Sequence, residues 1–235
     1  MIGILTTAFK RESTNRSFCL MIERLRQYKP GLFYPVCIYS IEGDQKIFES
    51  FGIDCHYYKN DPLAEKFNFG VQIFRGIVSH VLYIDSDDII DNAYLDHLLE
   101  GSESDVSRCM GVYFLAVQGS QFKGKARFLD NTYRDYGSTG MLFNARLLDK
   151  SDWKLWEGWE NDKMGYNSFN YLNNFITNQS IFRLDKTGSI MLDIKSGVNM
   201  NGFDQFFNTG VEADPELLLS KFSEKESSYL KTLIQ

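Results

Sequence analysis

The chain has 235 residues, 43% of them hydrophobic and four of them proline, which suffices for one sizeable core and falls within single-domain range. Its formal net charge of −6 argues against a protein that grips nucleic acid through a general basic field, while leaving room for a local basic groove. The four cysteines (Cys19, Cys37, Cys55, Cys109) form no CxxC pair, and nowhere do eighteen apolar residues follow one another, so zinc ligation and membrane insertion are both disfavoured.

Residues 1–8 read as a buried strand, with no basic leader or long apolar segment ahead of it. Together with the unpaired cysteines this predicts a soluble protein of a reducing cytoplasm. After a polar loop over 9–15, Phe18, Met21, Ile22 and Leu25 mark one face of a helix. A second strand is expected over 35–40, a short helix over 45–51 closed by Gly52, and a third strand over 53–58. Asp61-Pro62 then offers a capping side chain and a first-turn proline to a helix carrying Leu63, Phe67, Val71, Phe74 and Ile77 at helical spacing. Residues 81–84 form the fourth strand. Strand and helix thus alternate through the first hundred residues, the pattern of a mainly parallel sheet with helices on both faces.

Beyond a helix over 93–99 the pattern changes. Residues 106–117 read as one or two strands and 140–143 as another, joined by the polar segment 118–139. A short helix over 145–150 follows, then a cluster of three tryptophans at 153, 156 and 159, a helix near 166–177, and a helical tail over 215–234. The tryptophans suit the core individually, since large rings dominate burial, but three within seven positions exceed what one amphipathic face needs.

At the end of the fourth strand the apolar run breaks into Asp85-Ser86-Asp87-Asp88. In open α/β sheets ligands collect outside the carboxyl ends of strands, and closely spaced carboxylates suit a hard divalent cation that also holds a phosphate. The alternative is an acid-rich turn after the strand, with Asp85 merely its cap. Asp193 and Lys195 alternate with Ile194 after an apolar run, so on a strand they share one face. His56, His80 and His97 lack ligand spacing, and no glycine-rich phosphate loop or serine elbow occurs, which disfavours dinucleotide, P-loop and serine-hydrolase chemistry.

The alternating front half, Asp85-Ser86-Asp87-Asp88, and the preceding helix with Lys66-Phe67-Asn68-Phe69-Gly70 together resemble glycosyltransferases of the GT-A fold, especially the family 2 type. More loosely, Gly137-Ser138-Thr139-Gly140-Met141, Trp153-Lys154-Leu155-Trp156 and Leu192-Asp193-Ile194-Lys195-Ser196-Gly197-Val198-Asn199 are similar to small glycosyltransferases of bacteriophages and large viruses. The resemblance implies a single-domain, Rossmann-like α/β fold with a mixed, mainly parallel central sheet. Residues 1–100 would be its nucleotide-binding half and 101–235 its acceptor-binding half, ending in a C-terminal helix.

It also implies roles. Asp87 would hold Mn²⁺ or Mg²⁺ on the donor's diphosphate, and Asp85 would contact the ribose, or the metal through water, with Ser86 in the same nucleotide-binding motif. Asp88 would be a further ligand or an outward-facing turn acid. Thr6, Thr7, Ala8 and Arg11 would form the opening for base and ribose, with loop polarity as the competing account of Arg11. Glu42 or Asp44 would stand on the base, although the expected acidic-Gly-Ser pattern is absent, so uridine, and hence a UDP-sugar, is only the favoured donor. Lys66 and Asn68 would reach nucleotide or sugar hydroxyls, the alternative being a solvated helix face. Lys195 would meet the diphosphate and Asp193 would be a late metal ligand or support one, unless the two form a plain salt bridge. The base that removes the acceptor's proton would be Glu160 or Asp162, with Glu157 nearby; a retaining reaction needs none.

The expected function is therefore metal-dependent transfer from a nucleotide-sugar to an acceptor hydroxyl. The acceptor is a glycan, a protein side chain, or a hydroxymethylated pyrimidine in phage DNA, in which case the compartment is the host cytoplasm. Lys123, Lys125, Arg127 and Arg134 could track a phosphate backbone in that last case. Rival functions are nucleotidyl transfer and a non-catalytic nucleotide- or sugar-binding module. Nothing in the sequence specifies an oligomeric state.

Overall fold

A computed structural model describes residues 1–130, 139–156, 171–197 and 209–235. β1 (Ile2–Ala8) is buried along almost its whole length, as an apolar run covered on both faces must be. It pairs in parallel with β2 (Phe33–Tyr39) on one side and β4 (His80–Tyr83) on the other, and β3 (Asp54–Tyr57) continues from β2. Parallel pairing demands crossover connections, and α1 (Glu12–Tyr28), α2 (Glu42–Ser50) and α3 (Leu63–Gln72) provide them. α3 lies so close to β1 that a Cβ on Gly70 would meet Leu5 Cδ1 at 2.6 Å, which is why glycine stands there.

The back half adds β6 (Val106–Met110), β9 (Met141–Asn144) and β10 (Gln179–Arg183) to this sheet, giving the order β10-β6-β9-β4-β1-β2-β3. Within it β9 runs antiparallel to both neighbours. A second sheet of β5 (Asp88–Ile90), β7 (Val112–Ala116), β8 (Ala126–Leu129), β11 (Met191–Lys195) and β12 (Val211–Ala213) has the order β12-β8-β7-β11-β5. The stretch expected as one or two strands over 106–117 is thus two, in different sheets, and the chain changes sheet at Gly111, whose φ of +97° suits glycine.

Two apolar layers cover the large sheet. One joins Phe18, Met21, Ile22 and Leu25 of α1 to the second sheet and the C-terminal helices; the other joins Phe67 and Val71 of α3 to Leu147, Leu148, Trp153 and Trp156. Trp156 stacks on Phe67 with ring centroids 4.5 Å apart and meets Tyr83 edge-on, and Trp153 is buried in the same layer, so these two tryptophans belong to the core. Trp159 lies outside the described residues.

Several boundaries differ from expectation. α1 and α2 begin at Glu12 and Glu42, earlier than their apolar spacing suggests. α3 ends at Gln72, leaving Ile77 exposed, and Pro62 rather than Asp61 holds its cap position, with no side-chain cap. The cap on α4 (Asn92–Glu100) is Asp91, which accepts from Tyr94 N at 2.8 Å. α5 (Ala145–Lys150) matches its expected bounds, and α6 (Leu184–Thr187) is an addition. Of the helix expected near 166–177, residues 171–173 are helical, 174–177 are not, and the rest lies outside the described residues. The tail is two helices, α7 (Pro215–Leu219) and α8 (Glu224–Ile234), the latter opened by a capping box of Ser223 and Glu226. α8 is tied to α1 by Arg24 Nε to Glu226 Oε2 at 2.8 Å and by Tyr229 Oη donating to the Ser13 carbonyl at 3.0 Å. Among the described residues no helix is long and apolar enough to cross a membrane.

Candidate nucleotide and cation site

The chain leaves the large sheet after β4 and enters the small sheet at β5, and the turn between them carries Asp85, Ser86 and Asp87. Asp88 N donates to the Asp85 carbonyl at 3.0 Å, closing that turn, and Asp88 is the first residue of β5. Antiparallel pairing of β5 with β11 sets Asp88 opposite Asp193, and Ile194 N donates to the Asp87 carbonyl at 2.8 Å. Two residues along β11, on the face it shares with Asp193, Lys195 places Nζ 2.6 Å from Asp193 Oδ2. From the loop between β1 and α1, Arg11 Nη1 reaches Asp87 Oδ1 at 2.5 Å. Four carboxylates and two cations thus converge beyond the ends of β1 and β4.

Thr139 links the two sheets. Its hydroxyl accepts from Asp85 N at 3.0 Å and donates to Asp88 Oδ2 at 2.5 Å, while the Tyr83 hydroxyl donates to Asp85 Oδ1. Asp87, Asp88 and Lys195 are all buried, so their charges are poorly screened. Burial, then the charge of Asp87, pushes Asp85 up to about 6, and burial pushes Asp193 up to about 7 against the pull of Lys195. Burial and Asp193 hold Asp88 well above the usual carboxylate range. For Arg11 and Lys195 burial works against the charge, but the surrounding acids outweigh it and both are raised.

Among the described residues, buried Asp88 Oδ1, Asp193 Oδ1 and Ser86 Oγ have no hydrogen-bond partner. Unsatisfied acceptors of this kind are costly, and an all-oxygen donor set suits Mg²⁺ or Mn²⁺ in kind. Among the described residues, however, no three acidic, histidine or cysteine side chains converge as a cation-holding group. Arg11 and Lys195 each occupy a carboxylate oxygen instead.

Around this centre, Thr6 and Ala8 of β1 are buried and Thr7 is half-buried; among the described residues Thr6 Oγ1 has no partner. Two residues expected to face a ligand are committed to the protein. Lys66 is fully buried, its Nζ donating to the Ala8 carbonyl at 2.8 Å and to Asn60 Oδ1 at 3.2 Å, and burial lowers it to about 8. Asn68 Oδ1 accepts from Leu155 N at 2.9 Å and Trp156 N at 3.2 Å, and its Nδ2 donates to the Trp156 carbonyl at 2.8 Å. Their departure from expectation has one cause: both polar ends reach backbone brought against α3 by the fold. Of the two readings of Asp88, a further ligand or an outward-facing turn acid, the second does not hold: Asp88 is a buried strand residue because β5 pairs with β11.

Glu42 stands on the surface, paired with Lys46 at 3.4 Å, whereas Asp44 is buried and accepts from Asn15 Nδ2 at 2.7 Å and Lys10 N at 3.0 Å. Asp44 therefore fixes the loop that carries Arg11. Glu157, Glu160 and Asp162 lie outside the described residues, as do Arg134, Gly137 and Ser138. Sequence reasoning attached no role to Thr139, Tyr83 or Asn15. The partners of Thr139 are 51 and 54 residues away and that of Asn15 is 29 away, so no local signal marks these two.

The sequence matches no protein-family model and no curated protein. The fold, a mixed α/β architecture with a mainly parallel central sheet flanked by helices, is of the GT-A, Rossmann-like type. It is similar to residues 1–349 of S. aureus TarS, with a TM-score of 0.56 and 14% identity over 96% of this chain and 68% of that one. Weaker likenesses include M. tuberculosis glucosyl-3-phosphoglycerate synthase in complex with Mn²⁺, UDP and glucosyl-3-phosphoglycerate (TM-score 0.49, 12% identity, 78% of this chain and 70% of that one). Another is the T. maritima inositol-1-phosphate CTP transferase (0.48, 12%, 99% and 96%). At these scores neither adds to the fold assignment.

Proposed function

We propose that this protein is a glycosyltransferase that moves a sugar from a nucleotide-sugar, by preference a UDP-sugar, to an acceptor hydroxyl. The observation that carries the reading is the buried convergence of Asp85, Asp87, Asp88 and Asp193 with Arg11 and Lys195 at the carboxyl end of the parallel strands. A leaving nucleoside diphosphate gains negative charge as the sugar bond breaks, and preorganised cations in a poorly screened pocket stabilise that charge. Arg11 and Lys195 are the chain's own cations for this purpose, and Lys is an apt phosphate contact. One or two of Asp87, Asp88 and Asp193, together with the donor itself, would hold Mn²⁺ or Mg²⁺, which when bound neutralises the diphosphate. Asp85 and Ser86 would orient the ribose, and Thr6, Thr7 and Ala8 would line the approach of the base. Glu160 or Asp162 is the proposed base that takes the acceptor's proton.

In this reading residues 1–100 bind the nucleotide and 101–235 the acceptor, with β11 returning Asp193 and Lys195 to the nucleotide side. For the acceptor we favour a glycan hydroxyl over a modified base in DNA. Of the cations expected to track a phosphate backbone, Arg127 is paired with Glu212 at 3.4 Å and Lys123 donates to the Gln235 main-chain oxygen at 2.7 Å.

Incubation with Mn²⁺ and a panel of UDP-sugars tests the reading through the leaving group. Released UDP supports glycosyl transfer. Pyrophosphate, released from a nucleoside triphosphate and a sugar phosphate, would replace it with nucleotidyl transfer. Thermal stabilisation by the nucleotide-sugar with no turnover would leave a binding module.

A further inference from the structure

We infer that Arg11 and a divalent cation are alternative occupants of Asp87: Arg11 holds the carboxylate in the cation-free protein and moves to the donor's diphosphate when the cation arrives. This rests on the proposed reading of the site and gives Arg11 two positions within it. The two internal cations are not equivalent. Lys195 is nearly fully buried and bonded to a carboxylate two residues away on its own strand, so it has nowhere to go. Arg11 is at the mouth of the site, with one fifth of its side chain exposed, and among the described residues its guanidinium donates to Asp87 and to no other group.

The backbones on either side of this pair are held independently of it. The Arg11 carbonyl accepts from Asn15 N at 2.8 Å and Thr14 Oγ1 at 3.2 Å, and Lys10 N is held by Asp44. On the other side, the Asp87 carbonyl accepts from Ile194 N. Breaking the 2.5 Å contact therefore needs only rotation of the Arg11 side chain. The electrostatics favour exchange, because a divalent cation placed on Asp87 with the guanidinium still there would set like charges in contact in a poorly screened pocket. A diphosphate supplies the oxygens that a displaced guanidinium pairs with in bidentate fashion.

Mn²⁺ binding without nucleotide, read from the free-ion spin-resonance signal, is compared in the wild type, Arg11→Gln and Arg11→Lys. UDP binding is then measured by calorimetry at saturating Mn²⁺. Arg11→Gln should bind Mn²⁺ about tenfold more tightly and UDP about tenfold more weakly, and Arg11→Lys should fall between it and the wild type in Mn²⁺ affinity. Equal or weaker Mn²⁺ binding by Arg11→Gln overturns the inference. Should that variant not fold, the Arg11 side-chain NH resonance of the wild type, assigned by its loss in Arg11→Lys, should shift on adding Mg²⁺ alone; a resonance that stays put overturns it equally. A wild type that binds Mn²⁺ and UDP while Arg11→Gln gains no Mn²⁺ affinity removes only this inference. A wild type that binds neither removes the proposed function as well.

Discussion

Two buried lysines near the same end of the large sheet have opposite fates. Lys66 meets neutral acceptors, the Ala8 carbonyl and the Asn60 side chain, and burial brings it down to about 8. Lys195 is buried almost as deeply, yet Asp193, Asp87 and Asp88 raise it above the ordinary lysine value. Desolvation acts on both, so the carboxylate neighbourhood decides the charge. The first lysine ties α3 to the end of β1. The second belongs to a pocket in which four carboxylates face two cations.

The largest effect that would test this contrast is on stability. Lys195→Met should destabilise the protein by up to about 3 kcal/mol, because it leaves buried Asp193 without its partner and forces it to take up a proton, and adding Asp193→Asn should restore part of the loss. Chemical denaturation measures both, and a single variant as stable as the wild type would show that the pocket is not held by charge. Next comes Asp87→Asn, for which donor turnover should fall about a hundredfold or more, close to ~2.7 kcal/mol of transition-state stabilisation, with the melting temperature little changed. Normal turnover would remove Asp87 from the chemistry.

Lys66 supplies a pH test. Its folded value of about 8 lies below the ordinary 10.5, so between those values the unfolded chain binds more protons than the folded one, and stability rises with pH. From about pH 8 to about pH 10 the wild type should gain about 2 kcal/mol relative to Lys66→Met, measured by denaturation at both pH values. A parallel response of the two proteins would break the contrast between the lysines. Asn68→Ala, which frees the backbone of 155–156, should cost about 1–2 kcal/mol, leaving UDP affinity nearly intact if its role is to hold the chain. Glu42→Ala should change stability by less than about 0.5 kcal/mol; a marked loss of UDP affinity would return Glu42 to the site.

The fold's front half was legible because β1, β2 and β4 lie in apolar runs and α1 and α3 carry apolar stripes. The aspartates after β4 were legible for the same reason, since polarity changes abruptly at Asp85. β5, β8, β10 and β12 were not. They are three to five residues long, and three of them, β5, β10 and β12, sit at sheet edges, where a strand has only one pairing neighbour. The protein partners of Lys66 and Asn68 were not legible, because a polar side chain on a helix carries no local sign of whether it meets water or another segment's backbone.

By itself, then, the sequence determined the alternating α/β order, the place where acids interrupt a buried strand, and the sharing of one face by Asp193 and Lys195, all properties of neighbours along the chain. Only the tertiary structure decided that β5 and β11 pair, bringing Asp193 opposite Asp88, that Arg11 closes on Asp87, and that Thr139 bridges the two sheets. Those contacts join residues from 51 to 105 positions apart. Their geometry arises from sheet register and helix packing, which local periodicity does not encode.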